Sequence, residues 1–179
     1  MTKTMPQMNA ERFESSPSFT EFLEGVQENV ELWQGVFDRV RLPEDIVEAA
    51  RGCPGTWRLL ALTADWCGDA VNTLPVVARF AEEVGWDLRV LDRDENPDLM
   101  DQHLTDGKSR SIPVVIVYDE NFEEVGWWGP RPDALQKWVL TEGRALDSKE
   151  RYRNVRRWYA KDRGRTAVAE LLDIFCHRV

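Results

Sequence analysis

Apolar residues at Phe19, Phe22, Leu23, Val26, Val30, Trp33, Phe37 and Val40 recur at three- and four-residue steps, the spacing of one amphipathic helix face. Ser16-Pro17 offers a cap with proline at a first helical position, and Ser18 with Glu21 makes an alternative capping box. A shorter helix starts at Pro43 and ends at Gly52, before a turn at Cys53-Pro54-Gly55. The pattern then changes period. Trp57 to Thr63 is an apolar run of strand length, whereas Cys67 to Val84 places Val71, Leu74, Val77, Phe80 and Ala81 on one helical face, with Pro75 as a bend. Asp87 to Asp92 reads as a second strand and Asn96 to Leu104 as a helix. β-Branched Pro113 to Tyr118 and alternating Phe122 to Trp128 flank Asp119-Glu120-Asn121 as a hairpin. Helices at Pro132 to Leu140 and Ser148 to Phe175, the latter whole or broken near Gly164, complete the chain.

From Trp57 to Leu140 the order is therefore β-α-β-α-β-β-α. Strands separated by helices predict parallel neighbours, and the final hairpin adds an antiparallel strand. The fold class is α/β, a mixed central sheet flanked by helices, with extra N-terminal and C-terminal helices. We divide it into a disordered tail (1–15), an N-terminal helical extension (16–55), a core (56–142) and a basic helical extension (143–179) packed on that core as one domain.

Composition changes this picture only in places. At 179 residues, 42% hydrophobic and 31% charged, the chain has the make-up of one soluble domain. Eight tryptophans suggest a core padded with large rings. No apolar run reaches membrane-spanning length, and the polar N-terminus resembles neither signal nor anchor, so a cytoplasmic location and no membrane partner are the expectations. A net charge of −9 argues against nucleic acid. Against that trend, nine basic residues stand against three acidic ones between Arg144 and Arg165; a solvated helix face is favoured over a site for an anionic partner.

The three cysteines are an odd, widely spaced set, for which no disulfide framework is expected. Cys67 stands out because it follows an apolar run and opens a helix, where unpaired backbone N–H groups and the helix dipole favour a thiolate. Asp65 and Asp69 oppose that effect, and the balance predicts a pKa of about 7 to 8.5. Ala70 occupies the place where a second cysteine would close a Cys-x-x-Cys pair. Cys53 precedes the strand that carries Cys67 to its far end, and Cys176 shares a face with Val168, Leu171, Leu172 and Phe175, so neither is expected to reach Cys67.

Trp66-Cys67-Gly68, Pro75 eight residues past the cysteine, Asp94-Glu95-Asn96-Pro97 and Arg110-Ser111-Ile112-Pro113 together resemble the thioredoxin superfamily, in order across residues 57–140. The flanking helices resemble a bacterial thioredoxin-like subgroup with Trp-Cys-Gly-Asp sites. The resemblance implies a thioredoxin-like fold, a nucleophile at Cys67, and a substrate surface from Trp66, Gly68, Asp69, Ser111, Ile112 and a cis Pro113. It implies thiol–disulfide exchange with disulfide-containing or thiol-modified proteins. Three departures qualify it. Ala70 replaces the second cysteine, Ala61 replaces a buried aspartate of the family, and the stretch around Asp106-Gly107-Lys108-Ser109 is longer.

A lone thiol forms a mixed disulfide but cannot finish a two-electron reduction. The leading expectation is a monothiol protein whose adducts are resolved by an external low-molecular-weight thiol, with no cofactor. A redox-inactive binding module on the same fold is the alternative, and iron–sulfur cluster ligation by Cys67 a minor one. A cysteine hydrolase would need a histidine base, and His103 and His177 have no local signature for it.

Overall fold

A computed structural model describes residues 8–176. Four strands form one sheet in the order β2-β1-β3-β4: β1 (Arg58–Thr63), β2 (Asp87–Asp92), β3 (Val114–Tyr118) and β4 (Glu124–Trp128). β1 runs parallel to β2, and β3 antiparallel to both β1 and β4. Leu59 to Thr63 and the whole of β3 are buried, so helices cover both faces of the sheet centre. The mixed sheet flanked by N- and C-terminal helices is the architecture expected of the chain.

One pairing differs. β3 pairs antiparallel with β4 as the expected hairpin, but it was expected to run parallel to the strands before it and instead opposes β1. The connection from β2 contains only the four-residue helix α6 (Pro97–Met100), not a helix reaching Leu104. At 1.5 Å per residue it spans about 6 Å, too little to return the chain along a strand of about 20 Å. Leu104 instead leads into a tight turn closed by the Thr105–Ser109 bridge, with Asp106 and Gly107 left-handed at φ 53° and 67°. β3 therefore starts where β2 and β1 end, as the pairs Thr63–Asp92 and Leu62–Val114 show. That shared edge is where Cys67 emerges.

The helical extensions also depart from the hydrophobic pattern. Residues 10–15, expected within a disordered tail, form α1 (Ala10–Ser15), capped by Asn9 accepting from Arg12 N and buried through Phe13; the start of that tail lies outside the described residues. The single helix expected from Phe19 to Val40 is two, α2 (Phe19–Gly25) and α3 (Val30–Arg39). The break is held from elsewhere in the chain: the Asp65 carboxylate accepts from Gln27 N at 3.0 Å and Glu28 N at 3.1 Å. Trp33, fully buried, donates its indole N–H to Asp65 O at 2.9 Å, so the ring is buried with its donor satisfied. Trp128 is buried as well, whereas Trp66 is 52% exposed, so the tryptophans do not all serve as core.

α4 (Glu44–Arg51) precedes β1, and α5 (Gly68–Val84) follows it with Pro75 inside. α5 buries Val71, Leu74, Val77, Phe80 and Ala81, as its spacing predicts. β4 begins at Glu124, not Phe122, because Phe122 is left-handed (φ 61°) in a turn whose Asn121 and Glu123 N–H groups donate to the Asp119 carboxylate. α7 (Asp133–Leu140) leads to α8 (Ser148–Asp162) and α9 (Arg165–Cys176), with the break at Gly164. Gly164 has φ 79°, and a Cβ there would meet Val76 side-chain atoms at 2.6 Å, so glycine lets the α8–α9 turn press on α5. α9 packs against β4, α4 and α5.

That path corrects the reading of two cysteines. Cys53 and Cys176 are joined in a disulfide, with Cα atoms 5.5 Å apart and 123 residues between them in sequence. Cys176 was expected to be a packed thiol and no disulfide was expected. The return of α9 over α4 brings Cys176 to the turn before β1, a juxtaposition that local spacing does not encode.

Candidate functional site

Cys67 is the N-cap residue of α5, with extended backbone (φ −79°, ψ 113°), and its carbonyl accepts from Val71 N at 3.1 Å. Asp65 anchors the preceding turn to the α2–α3 break, and Cys67 N donates back to Ala64 O. The side chain is buried, and its thiol donates to the Ile112 carbonyl oxygen, with Sγ 3.5 Å away. The Ile112–Pro113 peptide is cis. Cys67 and Ile112, 45 residues apart in sequence, are thus brought together at the end of the sheet where β1 stops and β3 begins.

Around the thiol, Gly68 is open to space, and Ser111 hydrogen-bonds Ser109 through their hydroxyls at 2.9 Å. Trp66 is exposed beside Cys67, with the Arg93 guanidinium 5.0 Å from its ring centroid. Arg93 also donates to Arg110 O at 2.7 Å and thereby ties the Trp66 turn to the segment that ends in Pro113. Ala70 and Ala61 are fully buried.

Asp69 faces inward. Its carboxylate accepts from Arg131 Nε at 3.0 Å and Nη2 at 2.9 Å, and from the Tyr159 hydroxyl at 2.7 Å. Arg131 is oriented in turn by Gln136 at 2.8 Å, and Thr73 donates its hydroxyl to the Asp69 carbonyl. Arg131 reaches this position through Gly129-Pro130, a cis peptide in which Gly129 (φ 134°) lies so close to the Pro113 carbonyl that a Cβ would overlap it. Tyr159 comes from α8, in the basic extension read as a solvated face; burial, then the Asp69 charge, push its pKa well up, so it remains a neutral donor. Neither Arg131 nor Tyr159 was singled out in the sequence. The signal for Tyr159 was Val155 four residues earlier, the two buried positions of an otherwise charged helix.

Burial pushes the Cys67 thiol above the ordinary cysteine value, opposite to the value at or slightly below it expected from the helix end opposed by Asp65 and Asp69. The N–H groups of Ala70 and Asp69 pull it down, the Asp69 charge pushes it up, and Arg131 pulls it down. Asp65, expected to oppose the thiolate, spends its carboxylate on the α2–α3 break. At neutral pH the resting group is a protonated thiol bonded to Ile112 O. Cys67 is the free cysteine among the described residues, since Cys53 and Cys176 are bonded to each other.

His103 is buried elsewhere, between the Leu99 carbonyl (2.7 Å) and the Glu124 carboxylate (3.1 Å). Among the described residues no helix is long and apolar enough to cross a membrane.

A thioredoxin family model matches residues 16–153. Two solved structures are similar in fold. A protein of unknown function from Pseudomonas aeruginosa is 22% identical, with a TM-score of 0.73 over 95% of this chain and 97% of its own. An HIV epitope scaffold is 21% identical, with a TM-score of 0.70 over 92% of this chain and 95% of its own. No curated protein matches the chain. The family match extends over most of the chain and includes the Cys67 turn, the Ile112–Pro113 segment and Arg131: the chain belongs to the thioredoxin family.

Proposed function

We propose that Cys67 acts as a single nucleophile in thiol–disulfide exchange and that its adducts are resolved by a thiol from outside the chain. The observation that carries this reading is the pairing of the other two cysteines before β1, while Cys67 stands free after its far end. The Cys67 thiolate attacks one sulfur of a partner disulfide; that S–S bond breaks, a new one forms to Cys67, and the leaving thiolate takes the proton Cys67 released. A low-molecular-weight thiol then attacks the mixed disulfide, restoring Cys67 and becoming disulfide-bonded to the partner's sulfur.

Trp66, Gly68, Ser111, Ile112 and Pro113 form the partner-facing surface in this reading, with Ser111 and Ile112 backbone available to an extended strand. Asp69 has a different role. Locked to Arg131 and Tyr159, it holds the first turn of α5 and sets the charge beside the thiol. Burial raises the pKa of Cys67 and makes it a slow nucleophile at rest, and a docking strand that takes over the Ile112 carbonyl removes one partner of the protonated thiol.

A redox-inactive binding module is favoured by one observation, the burial of Cys67 with alanine at both 61 and 70. Parallel trapping from a cell lysate with wild type and Cys67→Ser, followed by mass spectrometry, separates the two. Exchange predicts disulfide-linked adducts that vanish in the variant, and identical, non-covalent captures by both proteins refute it.

A further inference from the structure

α3, α5 and α8 enclose a cleft of about 530 Å³ on the flank of the Asp69 cluster. Its walls are apolar, with Val36 from α3, Val40 from the C-cap of α3, Val76 from α5 and Tyr159 from α8. Asn72 and Val76 come from one face of α5, whereas Val40 and Arg41 lie in the segment just after α3 and Arg163 is the C-cap of α8, so helix faces and helix ends build the cleft together. Tyr159 serves both places, since its hydroxyl is held by Asp69 while its ring lines the cleft.

Arg39, Arg41 and Arg163 line the same cleft, and no acidic side chain does. Among the described residues none of the three is in an ion pair, whereas Arg12, Arg51, Arg79, Arg89, Arg93 and Arg110 all are. In a chain of net charge −9 these three exposed guanidiniums concentrate positive charge locally; Arg41, which also donates to Val40 O at 2.9 Å, stands between this cleft and a neighbouring one that carries Glu44, Glu48, Glu82 and Glu83. Arg163 is also held in the left-handed region (φ 55°), an uncommon state for a side-chain-bearing residue, at the C-cap of α8. Gly164 fixes the turn against Val76, so this end of the cleft is rigid.

We propose that the cleft binds a small organic anion, with a carboxylate or phosphate head on the three guanidiniums and an apolar body against the valines and Tyr159. The cleft volume is that of a small-molecule site, and the acidic body of the protein disfavours an extended polyanion. Binding here is independent of turnover at Cys67.

The test is calorimetric titration of the full chain with decanoate and decyl phosphate, with decylamine and propionate as controls. At least one of the decyl anions binds, and more tightly than either control. Arg39→Gln combined with Arg41→Gln weakens it at least about tenfold. Arg163→Gly, which suits the left-handed turn and removes the side chain with its guanidinium, weakens it several-fold without lowering the melting temperature. A decyl anion bound no better than decylamine, or unchanged affinity in variants that melt like wild type, overturns the proposal.

Discussion

Replacing Asp69 with asparagine removes a negative charge beside Cys67 while keeping a carbonyl oxygen for the Tyr159 hydroxyl, 2.7 Å away in the wild type. Two effects then act in one direction. The Asp69 charge no longer pushes the thiol up, and Arg131, freed from its ion pair, favours the thiolate without compensation. A unit charge at about 7 Å with an effective dielectric near 40 is worth about 1 kcal/mol, most of one pKa unit. Thiolate population at neutral pH rises correspondingly, while the lower basicity gives back about half of the gain on a logarithmic scale. Alkylation should therefore accelerate about threefold at pH near 7. The fold should weaken by about 2 kcal/mol, between the values of exposed and buried pairs, because the Arg131 and Asp69 side chains are 23% and 13% exposed. Iodoacetamide labelling followed by intact mass reads the rate at Cys67 alone, since the other cysteines are bonded. A natively folded Asp69→Asn protein that alkylates more slowly than wild type, or at the same rate, would refute this electrostatic account.

Other consequences are as direct. Ala70→Cys places a second thiol at a fully buried position of the first α5 turn, and dithiothreitol-driven insulin reduction should rise well above wild type; no gain would show that the missing thiol is not what limits turnover. For His103, burial opposes the cation, but the Glu124 hydrogen bond and charge and the Leu99 carbonyl outweigh it and raise the pKa. Its stabilising contribution is therefore complete below the unfolded histidine value of about 6.5 and is lost as pH rises through the higher folded value. The wild-type urea midpoint should fall across that window relative to His103→Gln, and parallel profiles would contradict it. Removing the Cys53–Cys176 bond by paired serine substitutions should cost about 2–4 kcal/mol, with chain entropy over so long a loop setting a ceiling near 5; unchanged denaturant midpoints would exclude a stabilising role.

The legible parts of the chain are those encoded by neighbours. β1, α5 and β2 follow from period alone, and Cys67 at the head of α5 from the change of period at residue 63. Features made by distant partners were not legible. The α2–α3 break is held by Asp65, 37 and 38 residues away from the N–H groups it accepts. The Asp69 cluster joins positions 62 and 90 residues further along the chain. α1 had a cap signal in Asn9, but one buried phenylalanine makes no period. The thiol's pKa direction was missed for the same reason: the helix end is a local property, whereas desolvation depends on which surfaces close over Cys67.

In the proposed exchange Cys67 begins the reaction, and among the described residues no other cysteine completes it. The most direct test is reaction of the protein, disulfide intact, with a small symmetrical disulfide such as oxidised glutathione, followed by intact mass and peptide mapping over time. One adduct per chain is expected, on Cys67, absent in Cys67→Ser and persisting until free thiol is added. An unmodified Cys67, or an adduct that disappears unaided as Cys67 becomes bonded to Cys53 or Cys176, would contradict it.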